Sequence, residues 1–470
     1  MKKSLIEHFD RIAKDRDTYR NRGKYFHREL ESYLQFLIPE NKRVLEVGSG
    51  TGDTLKALNP DHGLGIDISE NMVNIARDKH HDTPELSFEV GDGESPSIEE
   101  EFDFIYLQNT IGYFEDIQAA LSNLKKNLKN DGRLVLVYFN FLWKPLLLLA
   151  EKLKLRMPGK EKHWLPISDI INLLELSGYQ VIKEEERTII PFYIPIISTL
   201  FNRVLVHVPV IKSLAVNTVV VARKKSEPDI QDPVVSVIVP CRNEKGNIEN
   251  AVKRLPQMGS HTELIYVEGN SSDNTYEECL RVQKAYSDKD IKVFRQDGKG
   301  KGDAVRKGFG NATGDILMIL DADLTVPPED LPKFYQAIAS GSGEFINGSR
   351  LVYNMESEAM RPLNLLGNKF FSWAFTFLLS QRLRDTLCGT KVLWKKDYQR
   401  IIDGRSYFGD FDPFGDFDLL FGASKLNLKI VEIPIRYRNR EYGETQISRF
   451  THGWLLLKMT IFAMRKIKFV

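Results

Sequence analysis

The sequence predicts two α/β domains in tandem, on three observations. Short apolar runs alternate with helix-compatible segments from Lys42 to about Arg223, a charged, proline-bearing stretch then breaks the rhythm, and a second alternating series opens at Val234. Alternation of this kind means strands joined by helical crossovers, which assemble a mostly parallel sheet flanked by helices. At 470 residues the chain exceeds one ordinary core, and two large domains fit its length.

In the first series RVLEV, GLGIDI, SFEV, FDFIYL, RLVLVYF and NTVVVAR read as strands, with ENMVNIARDKH and IQAALSNLKKNL as helices between them. Ahead of them MKKSLIEHFDRIAKDRD reads as an amphipathic helix and lacks the apolar core of a secretory signal. KKSEPDIQDP has no apolar periodicity and reads as a linker. The second series runs from VVSVIVP through TELIYVEG, IKVFRQ, GDILMILDAD and EFINGSR to KIVEIPIRY. The expected divisions are 1–223, a linker 224–233, and 234–470.

Composition narrows the function classes. A formal net charge of +1 supplies little general attraction to polynucleotide, so nucleic acid is not an expected partner. Cys241, Cys279 and Cys388 lie too far apart for a paired zinc motif and too sparsely for a disulfide framework, which fits a cytoplasmic protein. Charges interrupt every long apolar stretch: Lys369 and Arg382 bound FFSWAFTFLLS, and Lys458 divides GWLLLKMTIFAM, so no span of a bilayer is expected. The terminal THGWLLLKMTIFAMRKIKFV, with Lys458, Arg465, Lys466 and Lys468, reads either as a helix in the cytosolic face of a membrane or as one packed on its own domain. FLWKPLLLLA and TIIPFYIPIISTLF are core, a lid or a second membrane-facing surface.

RVLEVGSGTGDTL carries an apolar strand into Gly48, Gly50 and Gly52 and then into a helix-compatible segment. Glycines there allow a tight turn and close approach of backbone to a ligand, although a plain strand-to-helix turn uses them too. Asp67 closes the next strand, where a carboxylate accepts hydrogen bonds from both hydroxyls of a ribose. Together these residues resemble the class I S-adenosylmethionine methyltransferases over roughly 20–223, with VLEVGSGTG the strongest match. The resemblance implies a Rossmann-like fold and S-adenosylmethionine as cofactor. It places Glu46, Gly48, Gly50 and Gly52 around the methionine part, Asp67 on the ribose, Ile68 beside adenine, and Asp92 with Gly93 near the adenine amine. Gln108 and Asn109 then line the route to the methyl group, and Asp92 is otherwise a turn residue. A base is needed only for a hydroxyl acceptor, and His163 and Asp169 read equally as solvated groups.

GDILMILDADLTVPPEDLP sets an apolar strand before Asp321 and Asp323. Residues i and i+2 of extended backbone face the same way, so both carboxylates can serve one hard cation such as Mg²⁺ or Mn²⁺ bridging a diphosphate. Taken alone, the pair reads equally as two acidic turn residues. SVIVPCRNEKGNIE, IYVEGNSSDNT and GKGKGDAVRKGF precede it in an order that resembles the inverting family 2 GT-A glycosyltransferases, and NGSRLVYN, DTLCGTKVLWKK and IPIRYRNREYGETQIS resemble the polyprenyl-phosphate sugar synthases among them, over approximately 234–455. By that resemblance Pro240, Arg242, Asn243 and Glu244 surround the nucleotide of a UDP- or GDP-linked sugar, Glu268 contacts its base or ribose, and Asp321 and Asp323 hold the metal. Lys299 and Lys301 are candidates to neutralise phosphates, and Arg350, Arg361 and Arg440 match arginines that hold donor and acceptor phosphates.

The chain departs from that pattern at Glu268-Gly269, where a paired acidic start is usual, and at Thr445-Gln446, where Ser-Lys is expected. Loss of the lysine removes a phosphate contact and leaves the acceptor open between a lipid phosphate and a glycan hydroxyl. A hydroxyl acceptor needs a carboxylate base, and of Asp410, Asp412, Asp416 and Asp418 it is Asp416 that best matches the acidic position of the relatives. The expectation is a bifunctional methyltransferase and glycosyltransferase in glycan or glycolipid synthesis, against an active glycosyltransferase with a cofactor-binding scaffold domain.

Overall fold

The computed structural model describes residues 2–225, 229–353, 362–409, 415–440, 442 and 449–470, without the side chains of 362–366, 416 and 449–452. It divides into two units, Met1–Ser226 with Phe469–Val470, and Glu227–Lys468.

In the first unit α1 (Lys2–Ile12), α2 (Arg16–Arg22) and α3 (Lys24–Leu37) precede β1 (Arg43–Val47). There follow α4 (Asp53–Ala57), β2 (His62–Asp67), α5 (Glu70–Lys79), β3 (Leu86–Val90), β4 (Phe102–Gln108), α6 (Ile117–Leu124) and β5 (Leu128–Phe139). The unit closes with α7 (Lys144–Lys152), α8 (Ile167–Leu176), β6 (Tyr179–Arg187), the single turn α9 (Ile197–Thr199) and β7 (Asn217–Lys224). The strands lie in the order β3-β2-β1-β4-β5-β7-β6, and only the pairings of β7 with β5 and β6 are antiparallel. The central strands are mostly apolar because helices cover both faces: Val44, Leu45 and Val47 are at most 1% exposed. Ser69 and Asp116 start α5 and α6 by accepting from the amides of Met72 and Ala119, which satisfies otherwise orphaned first-turn donors.

Strand β6 is absent from the expected strands, since YQVIKEEER carries five charges in nine residues. Its charged face is buried by pairing: Glu185 lies 2.6 Å from Arg187, the Tyr33 hydroxyl donates to Glu185 at 3.0 Å, and the Arg187 guanidinium sits 3.6 Å from the centre of the Tyr33 ring.

The second unit begins with β8 (Val235–Cys241), α10 (Lys245–Arg254), β9 (Thr262–Glu268), α11 (Thr275–Ala285) and β10 (Ile291–Arg295). It continues with α12 (Lys301–Asn311), β11 (Ile316–Ile319), α13 (Leu331–Ala339), β12 (Phe345–Ser349), α14 (Pro362–Leu379) and β13 (Lys391–Trp394). Last come α15 (Lys395–Asp403), α16 (Asp416–Lys425), β14 (Ile430–Pro434) and α17 (Arg449–Ala463). The sheet order is β10-β9-β8-β11-β13-β12-β14, parallel from β10 to β11 and mixed beyond because β13 runs antiparallel to both neighbours. On α17, Leu456, Met459 and Ala463 are buried while Trp454 and Ile461 are exposed, so one face of the terminal helix packs inward. No helix among the described residues is long and apolar enough to cross a membrane.

Candidate active sites

In the first unit the carboxyl ends of β1, β2 and β4 open into a cavity of about 530 Å³, within the usual range for a small-molecule site. Gly48, Gly50 and Gly52 all hold positive φ, at 80°, 55° and 77°. At Gly48 and Gly52 a side chain would also collide, with Thr110 and with Phe88 respectively. The loop is bound to the next strand, since Gly48 and Ser49 both donate to the Ile66 carbonyl, at 2.8 and 3.0 Å. Asp67 joins the two: its carboxylate accepts from the amide of Gly50 at 2.8 Å and from that of Ser69 at 2.9 Å. Burial nonetheless raises its pKa above the ordinary aspartate value.

Glu46 is 3% exposed, and its Oε2 has no hydrogen-bond partner among the described residues. Burial pushes its pKa up to about 8, although Arg20 and Arg16 pull it down. Asn109, in left-handed conformation with φ of 56°, likewise presents a buried Oδ1 without a partner among the described residues. Two buried polar atoms without partners among the described residues, at the wall of one cavity, leave hydrogen-bonding capacity for a polar ligand such as the amino-acid part of S-adenosylmethionine. The cavity also reaches Ile68, Asp92 and Gly93, where Asp92 takes an ion pair from Lys2 at 2.6 Å. Gln108 is already tied to the Tyr106 hydroxyl at 2.6 Å. His163 and Asp169 are not among the cavity's lining residues.

Sequence reasoning missed the contribution of the first three helices. Arg16, Arg20 and His27 line this cavity, and the Nε of Arg16 is 3.2 Å from where a Cβ on Gly50 would stand. Burial and the repulsion of Arg20 lower the pKa of Arg16, and burial with Arg20 and Arg16 brings His27 to about 3, so its ring is neutral. The helices are fastened over the loops by Asp10, which accepts from Ser69 Oγ at 2.6 Å, and by Asp17, which accepts from Thr51 Oγ1 at 2.9 Å. The spacing of an amphipathic helix carries no sign of what its polar face covers.

In the second unit the loops after β8 and β9 interlock. The Asn243 amide donates to Ser271 Oγ at 2.9 Å, the Ser272 amide donates back to Asn243 Oδ1 at 2.8 Å, and the buried Glu268 accepts from the Ser271 amide. Arg242 and Gly269 meet there, since a Cβ on Gly269 would stand 3.4 Å from that of Arg242. Asp321 opens and Asp323 lies within a turn closed by the Leu324 amide on the Asp321 carbonyl at 3.1 Å, beyond the end of β11, so the two do not share one extended strand. Ala322 between them is buried at 5% exposure.

Each carboxylate meets a cation from a distant segment. Lys301 Nζ is 2.7 Å from Asp321, and Arg440 bridges Asp323 at 2.6 Å and Glu244 at 3.1 Å. Burial opposes the charge on Asp321, but Lys301, Lys391 and Arg350 outweigh it and hold its pKa below the ordinary value. Glu244 goes the other way: burial raises it to about 7 despite Arg440 and Asn247. Gly389 closes against Asp321 and Lys301 so tightly that a Cβ there would overlap both. Arg350 is held by Asp385 in a bidentate pair at 2.7 and 2.9 Å, with Asp385 fully buried. Among the described residues no group of three His, Cys, Asp or Glu forms a metal cage. Two carboxylate oxygens completed by diphosphate and water are nevertheless an ordinary donor set for Mg²⁺ or Mn²⁺, so the residues fit such an ion. Arg361, Asp410, Asp412 and the Thr445-Gln446 pair lie outside the described residues, as does the Asp416 side chain, while Lys299 is exposed and Asp418 pairs with Arg405 at 3.2 Å.

Comparison with known proteins finds a family match in each unit. Residues 20–184 match the family model of a methyltransferase domain, and residues 236–399 match that of glycosyl transferase family 2. The chain therefore joins a methyltransferase domain of Rossmann-like fold to a family 2 glycosyl transferase domain with a GT-A-like mixed sheet. Among curated relatives, a dolichol-phosphate mannosyltransferase of Pyrococcus furiosus is 40% identical over 220 residues, 45% of this chain and 59% of the relative. The low-salt glycan biosynthesis hexosyltransferase Agl6 of Haloferax volcanii is 29% identical over 227 residues, 47% of this chain and 52% of the relative. The chain thus spans between half and three fifths of the length of these relatives. A solved S-adenosylmethionine-dependent methyltransferase of Thermotoga maritima, possibly a histamine N-methyltransferase by its description, is 20% identical, covers 47% of this chain and all of its own, and has a TM-score of 0.37.

Proposed function

We propose that this chain is a bifunctional transferase: residues 1–223 transfer a methyl group from S-adenosylmethionine, residues 224–233 link the units, and residues 234–470 transfer a sugar from a UDP- or GDP-linked donor. The observation that carries the reading is that, in each unit, charged side chains from segments remote in the chain converge at the carboxyl ends of parallel strands, where α/β sheets bind ligands.

In the first unit Glu46 and the three glycines hold the methionine part, Asp67 the ribose, Ile68 and Asp92 with Gly93 the adenine, and Asn109 borders the acceptor. The cofactor supplies a methyl already activated on sulfur, so the protein's task is alignment and exclusion of water. Phe26, Phe139, Trp143 and Leu147 give the cavity the apolar wall this requires. In the second unit Pro240, Arg242, Asn243, Glu244 and Glu268 seat the nucleotide, and Asp321 and Asp323 would hold Mg²⁺ or Mn²⁺, which would supply positive charge to offset that of a leaving diphosphate. Lys301, Arg350 and Arg440 add positive charge at the same place, with Arg361 on the acceptor side. A phosphate acceptor arrives ionised and needs no base. A glycan hydroxyl would use Asp416. The reactions serve glycan or lipid-linked glycan synthesis on the cytoplasmic side of a membrane.

The test is incubation of the full chain with labelled S-adenosylmethionine and a panel of nucleotide sugars, with and without membrane lipids. Asp67→Ala should remove methyl transfer alone and Asp323→Ala sugar transfer alone. Sugar transfer that survives Asp323→Ala refutes the metal site.

A further inference from the structure

The first unit carries an apolar surface that its own core does not use. Leu142, Leu146, Leu149 and Leu153, in and beside α7, are 50–61% exposed. Tyr193, Ile196 and Val210, in the segment that leads from β6 to β7, are 64–82% exposed. The two stretches are tied together, and Leu147 of one and Phe192 of the other line the same cavity. The indole of Trp143 donates to the Leu214 carbonyl at 2.9 Å, and the Asn140 amide group donates to the carbonyls of Ser213 and Ala215 at 2.9 and 3.1 Å. Ile196 holds φ of 67° and ψ of −50°, a conformation that β-branched residues avoid, and in it keeps its side chain turned out of the fold.

Charge selects the occupant. From Thr188 to Asn217 the chain has no Asp or Glu and carries the cations Arg203 and Lys212, the latter paired with Glu186 at 3.0 Å. The neighbouring stretch from Phe141 to Leu155 adds Lys144, Lys152 and Lys154 against a single acid, Glu151, which is itself paired with Arg156. Apolar side chains interleaved with cations, with Trp143, Phe192 and Tyr193 among them, match the boundary of an anionic bilayer, where aromatic rings sit at head-group level.

The same surface surrounds one end of the cavity. Trp143, Leu147, Leu155 and Phe192 line the cavity that also contains Glu46 and Asp67. We propose that this surface seats the methyltransferase unit on anionic lipid, and that the methyl acceptor is a polar group tethered to a lipid chain. Its head enters the cavity while its tail stays among the lipids, so the tail never crosses water. The inference rests on the methyl-transfer reading above and names the acceptor class of that site.

The experiment uses the full chain with Ile196→Cys carrying an environment-sensitive fluorophore, which is selective because all three native cysteines are buried. On vesicles of phosphatidylcholine with phosphatidylglycerol the emission should shift to the blue and be quenched by a lipid-borne quencher. On phosphatidylcholine alone, binding seen by this label should be at least about tenfold weaker. The double variant Leu146→Glu/Ile196→Glu should lose methyl transfer to a membrane lipid extract about tenfold or more, yet bind S-adenosylhomocysteine as the parent chain does, which reports an intact fold. A label that stays in water on vesicle-bound protein overturns the docking surface. So does a label that shifts without vesicles as the chain self-associates, which would assign the surface to a second copy. Methyl transfer to a soluble, delipidated head group as fast as to the tethered one overturns the acceptor class. Absence of S-adenosylhomocysteine binding by the parent chain sinks the methyl-transfer reading itself, and the vesicle result is read separately from it.

Discussion

Replacing Glu46 by Gln should make the methyltransferase unit more stable at alkaline pH and leave it nearly unchanged in acid. The carboxyl is 3% exposed, lacks a partner on Oε2 among the described residues, and has a pKa raised by burial from 4.5 to about 8. A folded-state pKa above the unfolded value means that the native state binds the extra proton. The associated stability is complete below about pH 4.5 and is lost as pH rises through 8. Each tenfold difference in proton affinity between the folded and unfolded states is worth ~1.4 kcal/mol, so the full contribution is about 5 kcal/mol, of which about 3 kcal/mol disappears between pH 5 and pH 8. Glutamine keeps the shape and cannot ionise, so its profile across that interval should be flatter by this amount. The assay is urea or thermal unfolding of the full chain at several pH values, following the transition that S-adenosylhomocysteine shifts. Parallel profiles for the parent and Glu46→Gln would show that Glu46 is ionised at neutral pH, and the burial argument would fail.

Three further outcomes follow from the same structure. Arg16→Met should weaken S-adenosylhomocysteine binding about tenfold in calorimetry, because it removes a guanidinium from beside Gly50, Glu46 and Asp67. Gly389→Ala should cut nucleoside diphosphate binding roughly tenfold or more, since a Cβ there displaces Asp321 and Lys301, while the unfolding transition of the first unit stays in place. Glu244, raised to about 7 by burial, gains charge beside Arg440 as pH rises, so nucleoside diphosphate binding should weaken through pH 7. Its contribution to stability is likewise present below its unfolded pKa and lost through 7, and Glu244→Gln should remove the inflection from both titrations.

The strands that carry function were legible because each is buried on both faces and therefore written in apolar residues, from RVLEV at 43–47 to the run before Asp321. The glycine loop and the acidic pair were legible because they stand next to such strands in the chain. Sequence order alone thus determined two α/β units and the position of the glycine loop and the acidic pair at the ends of their strands. Tertiary structure decided whatever depends on partners remote in the chain. It buried the charged strand β6 by bringing Tyr33 over Arg187, across more than 150 residues. It carried Arg16 and Arg20 to Glu46, and Arg440 to Asp323 across an interval of 117 residues. It also left the leucines of α7 and the residues around Ile196 unburied beside the cavity, where composition alone allowed core, lid or surface. The physical reason is common to all of these: a side chain's burial and ionisation are set by the groups packed around it, and local sequence specifies only those few residues away.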